Sequence, residues 1–460
     1  VPKGVLRTFL KNNIYSSVED LNLESAVEGL FWENMQTQNI KYTELMQRED
    51  YIWSSIGVVR AATINDGSLR SVLNSYFKYC KINLTKLIDL IVKLKPNEFA
   101  EFTSALNVFS KNKLSKILDV TVWIKLVDWA TFIGYPKIND RVGKSSAKEW
   151  LVSEGGKILP TSLDLLKIIR RILGVVRKPY SYTFTNFKSF LLARYTWMND
   201  GSAKQSTLYI NDNLINNKNG LALSTSDDDL IKFAKIESIL ANGLPEFIKP
   251  DEKGPKLRTI TNSPFGMYVK WKYVLEVLLN IVGKPKNGFG LYMDAIDKVR
   301  WLQLHLSMGA IIPIDFAKFD WHIDFIFWEA FHLYCQEILI GDALEIENEM
   351  FGLMRNIKVL DINGINVGTW NKGVPSGLYI TAFIDTLFNL VAQLWVEELS
   401  NRKYIAGLAQ GDDGSLVAKE DVNLEELKEL FATIGFEINV QKNWHTYGVT
   451  EFLKMVITEN

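Results

Sequence analysis

The chain of 460 residues predicts an α+β protein, with a helix-rich first half followed by a small antiparallel sheet packed on helices. Three observations predict it. Apolar residues recur at helical spacing through about the first 240 positions. Beyond them, strand-like apolar runs alternate with helical ones, as in a layered sheet-and-helix domain. Residues 408–417 then set two apolar runs around Gly411-Asp412-Asp413-Gly414, which reads as a β-hairpin with two carboxylates at its tip. Adjacent carboxylates repel, and a divalent cation is the simplest partner that would hold them together.

Composition fits a packed globular protein, with 47% hydrophobic and 12% aromatic residues. The length exceeds what a single core usually serves, so about two or three subdomains are expected. Lys and Arg number 52 against 53 Asp and Glu, a net charge of -1, so any site for a polyanion must be local. Cys80 and Cys335 lie far apart in apolar surroundings and read as buried thiols; with His305, His322, His332 and His445 they form no zinc spacing. The longest apolar stretch, 378–396, is interrupted by Asp385, Asn389 and Gln393, which argues against a membrane span. No signal peptide is visible at Val1. The absence of an initial Met, and the stop at Asn460 close behind a patterned segment, suggest processing or truncation at both ends.

Taken in order, residues 83–94 place Leu84, Leu87, Ile88, Ile91 and Leu94 on one helical face, and Pro96 stops the helix. A second helix starts at the cap Ser162 and runs through Leu166, Ile169 and Leu173. Its Arg170 and Arg171, with Arg177 and Lys178 beyond, read as a solvated face before a nucleic-acid face. Residues 181–206 interleave Tyr182, Phe184, Phe187, Tyr195 and Trp197 with Lys188, Arg194 and Lys204, a pattern that suits a single-strand groove or simple core packing. Asp227, Asp228 and Asp229 follow Ser226 as an acidic first helical turn.

Chemistry-bearing residues gather in the second half. Around 249–260 Pro and Gly exclude a long helix, while Lys256, Arg258 and Ile260 alternate as on a strand, so the two cations share one side. That ledge suits triphosphate oxygens, or is a plain surface ribbon. Residues 310–320 give an apolar strand with Asp315 where it emerges into water. Asp320 follows near the start of a helix carrying Phe325, Trp328 and Phe331. Gly373-Val374-Pro375-Ser376-Gly377 forms a loop, and the next helix lines up Thr381, Asp385 and Asn389. After the hairpin come a helix at 424–433, a strand-like 437–440, Lys442, and a last short strand at 450–457.

This ordered set resembles the viral RNA-dependent RNA polymerases of the picornavirus-like assemblage. Its Asp-Phe-Ala-Lys-Phe-Asp and Val-Pro-Ser-Gly wording is nearest to the partitivirus and picobirnavirus enzymes of double-stranded RNA viruses. The resemblance covers roughly Phe247 to Ile457. It implies a right-hand fold, with an N-terminal extension and fingers over 1–245, fingers with motif F over 246–285, and a palm with motifs A to E over 286–460. A fingers insertion within the palm segment is allowed for.

By the same resemblance, Asp315 and Asp412 would bind catalytic metal, with Asp413 as accessory. Asp320 would sense the ribose 2′-hydroxyl. Ser376, Gly377 and Thr381 would handle template and nucleotide, with Asp385 and Asn389 completing the nucleotide set. Lys256 and Arg258, with Lys253, would bind triphosphate, and Lys249, Lys454 and Ser202 would contact RNA. Lys442 takes the place of a general acid. Mg²⁺ is the implied cofactor, with Mn²⁺ as substitute. RNA template and product, nucleoside triphosphates and a viral capsid protein are the implied partners, and the virion interior or host cytoplasm the implied location.

Two departures stand out. Related picornaviral enzymes carry Asn at the position of Asp385. They also continue into a helical thumb, whereas here three residues follow Ile457, so the thumb is expected to be absent or truncated. Alternatives that stay open are a reverse transcriptase-like enzyme, a catalytically silent RNA-binding homologue, and a Mg²⁺-dependent phosphohydrolase.

Overall fold

The computed structural model describes residues 146–153, 156–175, 186–199, 201–203, 205–248, 259–439, 447–453 and 455–459, together with a short ladder pairing Ser54–Ser55 with Val59–Arg60. The chain divides into two compact units, one of Val1–Gly143 with Ile248–Arg258, the other of Lys144–Phe247 with Thr259–Asn460. The second holds the body of the fold. The expected helix at 83–94, Cys80, Arg177, Lys178, Tyr182, Phe184, Lys204 and His445 lie outside the described residues.

Helix α1 (Ser162–Leu173) opens the body, and its cap is Thr161 rather than Ser162. Thr161 and Asp164 form a reciprocal capping box that satisfies two of the orphan donors of the first turn. Short helices lead to β1 (Leu244–Ile248) and β2 (Thr259–Thr261). Helices α2 (Phe265–Val282) and α3 (Ala295–Leu306) precede β3 (Ala310–Ile314). Then come α4 (Phe325–Ile338), α5 (Asp342–Leu353), β4 (Lys358–Leu360) and β5 (Asn366–Thr369). Helix α6 (Thr381–Leu399), β6 (Tyr404–Gln410), β7 (Asp413–Ala418), α7 (Leu424–Ala432), β8 (Val449–Phe452) and β9 (Met455–Thr458) complete it.

The central sheet has the order β6-β7-β3, antiparallel throughout. Because strand side chains alternate, its two faces feed two different cores. Ile312, Ile314, Leu416 and Ala409 join the large core with α1, α4 and α6, while Ile311, Val417 and Leu408 join a smaller one with Leu302, Leu306, Phe452 and Ile457. This explains why β3 reads as an unbroken apolar run: both of its faces are covered. Pro313 is tolerated because β3 is an edge strand. The second sheet, β2-β1-β4-β5, is mixed, with β1 and β4 parallel.

Some local expectations change and others hold. Asp320 sits in a separate turn of helix, Phe319–His322, and α4 is capped instead by Asp324, whose carboxylate accepts from Ile326 N. The last strand is a hairpin, because Leu453 takes a positive φ of 50° and turns the chain between Phe452 and Met455. Arg170 and Arg171 are ion-paired with Glu337 and Glu398, which occupies both cations within the protein. Of the aromatic and basic stretch, Trp197 is fully buried, Phe187 packs on Tyr273, and Arg194 bonds Asp227 and two backbone carbonyls. Core packing accounts for Trp197 and Phe187, and polar bonds within the protein for Arg194. Cys335 is a free, buried thiol. Among the described residues no helix is long and apolar enough to cross a membrane.

Candidate active site

Strand register brings the expected carboxylates together. Gly414 pairs with Ile314 across β7 and β3, so Asp413 and Asp315, one residue further along each strand, stand opposite each other, with Asp412 next at the turn. Asp315, Asp412 and Asp413 are exposed, as chemistry on a bound substrate requires. The backbone of Asp315 accepts from Asn439 N at 2.9 Å, and Phe316 bridges to Ile438, so the segment after α7 pins the mouth of β3.

The hairpin turn consists of two residues, Gly411 and Asp412, closed by the Gln410–Asp413 pair. Gly411 has φ +63°, a conformation that glycine adopts without steric cost. Gly414 plays a different part from the turn role expected of it. It lies within β7, where a Cβ would come 2.8 Å from Asn389 Oδ1 and 2.9 Å from Gln393 Nε2. It is glycine because α6 crosses there.

Helix α6 fastens the hairpin through one polar line. Thr386 Oγ1 accepts from Gly411 N at 2.8 Å, and Asn389 Nδ2 donates to Gly411 O at 3.0 Å. Gln393 donates to Asn389 Oδ1 at 2.9 Å and accepts from Gly407 N at 2.8 Å, while Glu397 accepts from Ala406 N at 2.9 Å. β6 is an edge strand with a register shift between Ala406 and Ala409, so these side chains satisfy backbone groups that no neighbouring strand reaches. Sequence reasoning missed Thr386, Gln393 and Glu397, although their helical spacing was available. Asn389, expected to meet the nucleotide, is instead fully buried under the hairpin with its amide committed to Gly411 and Gln393.

Asp385 behaves differently. It is only 5% exposed and its Oδ1 has no hydrogen-bond partner. Burial first, then the nearby charges of Asp320 and Asp412, push its carboxyl well above the usual range. Those causes place Asp385 between the turn after β3 and the hairpin tip, which unites Asp320, Asp385 and Asp412 in one electrostatic neighbourhood.

The loop before α6 is tied to both flanks. Val374 N donates to Asp320 O at 2.8 Å, and Thr381 Oγ1 donates to Pro375 O at 2.7 Å. Ser376 Oγ accepts from Thr261 N at 3.2 Å, and Ser263 Oγ donates to Gly377 O at 3.0 Å. Gly377 bridges to Asn262, and a Cβ there would lie 2.2 Å from the Thr261 carbonyl oxygen. Ser202 is exposed and bridged to Asn217, and it lines a small cleft with Asn262 and Ser263, the residues that hold Gly377. Lys249, Lys253, Lys256, Arg258, Lys442 and Lys454 lie outside the described residues.

The donor set fits a small hard cation. Among the described residues no three His, Cys, Asp or Glu side chains form a ready ligand cluster. An ion held by one or two carboxylates and completed by substrate phosphate needs no such cluster, and Mg²⁺ is commonly bound in that way.

Comparison with known proteins finds likenesses to viral polymerases. Residues 253–460 match the model of the viral RNA-dependent RNA polymerase family. A probable RNA-directed RNA polymerase of Giardia lamblia virus is 24% identical over 225 residues, a match that covers 46% of this chain and 12% of that protein. The crystal structure of an insertion-loop deletion mutant of the RNA-dependent RNA polymerase of a human picobirnavirus aligns with TM-score 0.53 and 13% identity, covering 91% of this chain and 76% of that one. A second crystal structure, of the RNA-dependent RNA polymerase of a human picobirnavirus, gives 0.52 and 14%, over 85% and 70%. At those identities the likeness establishes the right-hand polymerase fold.

Proposed function

We propose that the whole chain is an RNA-dependent RNA polymerase that copies a viral RNA genome from nucleoside triphosphates by extending an RNA 3′-hydroxyl. The observation that carries this reading is the strand register that sets Asp315 beside the Gly-Asp-Asp turn. Asp315 and Asp412, with Asp413 as accessory, hold divalent metal, Mg²⁺ by preference and Mn²⁺ as substitute. When bound, such ions activate the attacking hydroxyl and stabilise the charge on the departing pyrophosphate. Asp320 and Asp385 read the ribose. Ser376, Gly377 and Thr381 shape the loop that receives template and nucleotide. Lys256, Arg258 and Lys253 neutralise the triphosphate, Lys442 gives a proton to the departing pyrophosphate, and Lys249, Lys454 and Ser202 contact RNA. The register observation also favours two-carboxylate metal chemistry over a silent homologue. A viral capsid protein as partner, and action in the virion interior or host cytoplasm, belong to the same proposal.

The test is RNA-templated incorporation of labelled ribonucleotides with Mg²⁺ or Mn²⁺, comparing the chain with Asp412→Ala. Template-length product from the parent, reduced to background in the variant, is expected. Equal product from both would overturn the assignment of Asp412, and free use of deoxynucleotides would overturn the choice of RNA as product.

A further inference from the structure

One ionisable side chain outside the carboxylate site is buried without an opposite charge. Lys218 is 6% exposed, and among the described residues no carboxylate pairs with it. Its ammonium lies 4.0 Å from the centre of the Tyr268 ring. Asn199 and Gly201 lie beside it, with Lys218 N donating to Gly201 O at 2.9 Å and Asn199 Nδ2 donating to Tyr268 Oη at 2.7 Å. A second cation completes the group. Lys272 stands 5.2 Å from the centre of the Tyr379 ring, and Tyr379 meets Tyr268 edge to face at 5.2 Å. The order is therefore cation, ring, ring, cation, and Tyr379 belongs to the loop between Gly377 and Thr381.

Burying a lone ammonium costs several kcal/mol unless a counter-charge arrives. Burial, and then the like charge of Lys272, lower the Lys218 ammonium to about 8. Lys272 is lowered chiefly by its own burial, with Glu276 one turn along α2 offsetting this in part. Ring faces attract the two ammonium groups but bring no net negative charge. The cluster thus has donors, positive charge and two aromatic rings; Glu276 offsets the Lys272 end, and among the described residues no carboxylate pairs with Lys218.

We propose that Lys218 and Lys272, separated by Tyr268 and Tyr379, bind a backbone phosphate of a single-stranded RNA passing the Ser376-Gly377 loop. The proposal rests on the polymerase reading and adds to it a contact that lies apart from the carboxylates. A phosphodiester is favoured over a triphosphate because Tyr379, half-buried beside Lys272, offers a ring face to a neighbouring base. Among the described residues no group of three metal-ligating side chains stands here to hold the metal that accompanies a triphosphate.

The test uses the full chain and a labelled single-stranded RNA oligonucleotide, with binding followed by fluorescence anisotropy across a salt series. Lys218→Met keeps the bulk and removes the charge; Lys272→Gln, at a half-buried position, serves if the first variant does not fold. Each is expected to weaken binding several-fold and to reduce the slope of log affinity against log salt by about 0.7, the contribution of one single-strand phosphate contact. Nucleotide KM should not change, and the melting temperature of Lys218→Met should hold or rise, since an unpaired buried charge has gone. Wild-type affinity and slope in both variants would overturn the proposal. A raised nucleotide KM with unchanged RNA binding would also overturn it, assigning the site to triphosphate. Salt-independent RNA binding by the parent would be a failure of the polymerase reading itself, a separate result.

Discussion

Asp385 and Gln393 lie two turns apart on α6, both buried, and treat their polar atoms in opposite ways. Gln393 has a partner at each end of its amide, Asn389 on one side and Gly407 on the other. Asp385 leaves an oxygen without a partner in the same interior. An unmade hydrogen bond on a buried group costs about 1–3 kcal/mol, so such an atom persists where something outside the fold completes it. The satisfied end of the helix is scaffold for the hairpin, and the unsatisfied end is the one that the proposed function assigns to the substrate. The difference separates residues that hold the site from residues that use it.

Substitutions that unmake the satisfied end should have the largest effects on stability. Gln393→Leu leaves Gly407 N and Asn389 Oδ1 buried without partners, and should cost about 3 kcal/mol, visible as a lowered melting temperature in scanning calorimetry. A melting temperature unchanged within error would mean that β6 does not depend on α6. Thr386→Val is milder and more informative. It removes the acceptor for Gly411 N with almost no change of shape, and should cost about 1 kcal/mol in stability. Because Gly411 carries Asp412 at the turn, kcat for ribonucleotide incorporation should fall while KM holds, and Thr386→Ser should restore it. A loss of stability with kcat intact would make the contact scaffold alone.

The carboxylate end of the fold was legible in the sequence because it depends on local rules. An apolar run ending in Asp315 and a Gly-Asp-Asp turn between two apolar runs each fix a strand end without reference to the rest of the chain. Two strand ends carrying acids then had few ways to meet. The corrections fall where a distant element decides. Nothing near Gly414 announces that α6 crosses it, and nothing near Asn389 says that its amide serves a backbone 22 residues away. The turn at Leu453 was hidden because a non-glycine residue with positive φ has no sequence signature. Lys218 was invisible for a related reason: its burial comes from Gly201 and Tyr268, on separate segments, and a lysine in a polar stretch reads as exposed.

The finest test of the contrast on α6 is Asp385→Asn, which keeps the shape and removes the acid. In the parent, burial and the charges of Asp320 and Asp412 raise the folded-state carboxyl above its ordinary 3.8. The folded protein therefore holds a proton that the unfolded chain has released. The stability linked to that proton is fully present below 3.8 and is lost as pH rises through the folded value. Denaturant unfolding followed at rising pH from the ordinary carboxyl value of 3.8 upward should show the parent losing stability relative to Asp385→Asn. At the upper end the variant should be the more stable of the two. Parallel curves would place the charge of Asp385 in solvent and remove the distinction between the two ends of the helix. In single-nucleotide incorporation, the variant's preference for ribose over deoxyribose should shift only modestly. An amide can still offer a donor to the sugar pocket, and the parent acid offers one only while it keeps its proton. Ribose preference that falls with rising pH in the parent and stays level in Asp385→Asn would tie the unpartnered oxygen to the substrate. A level profile in both proteins would confine it to the fold.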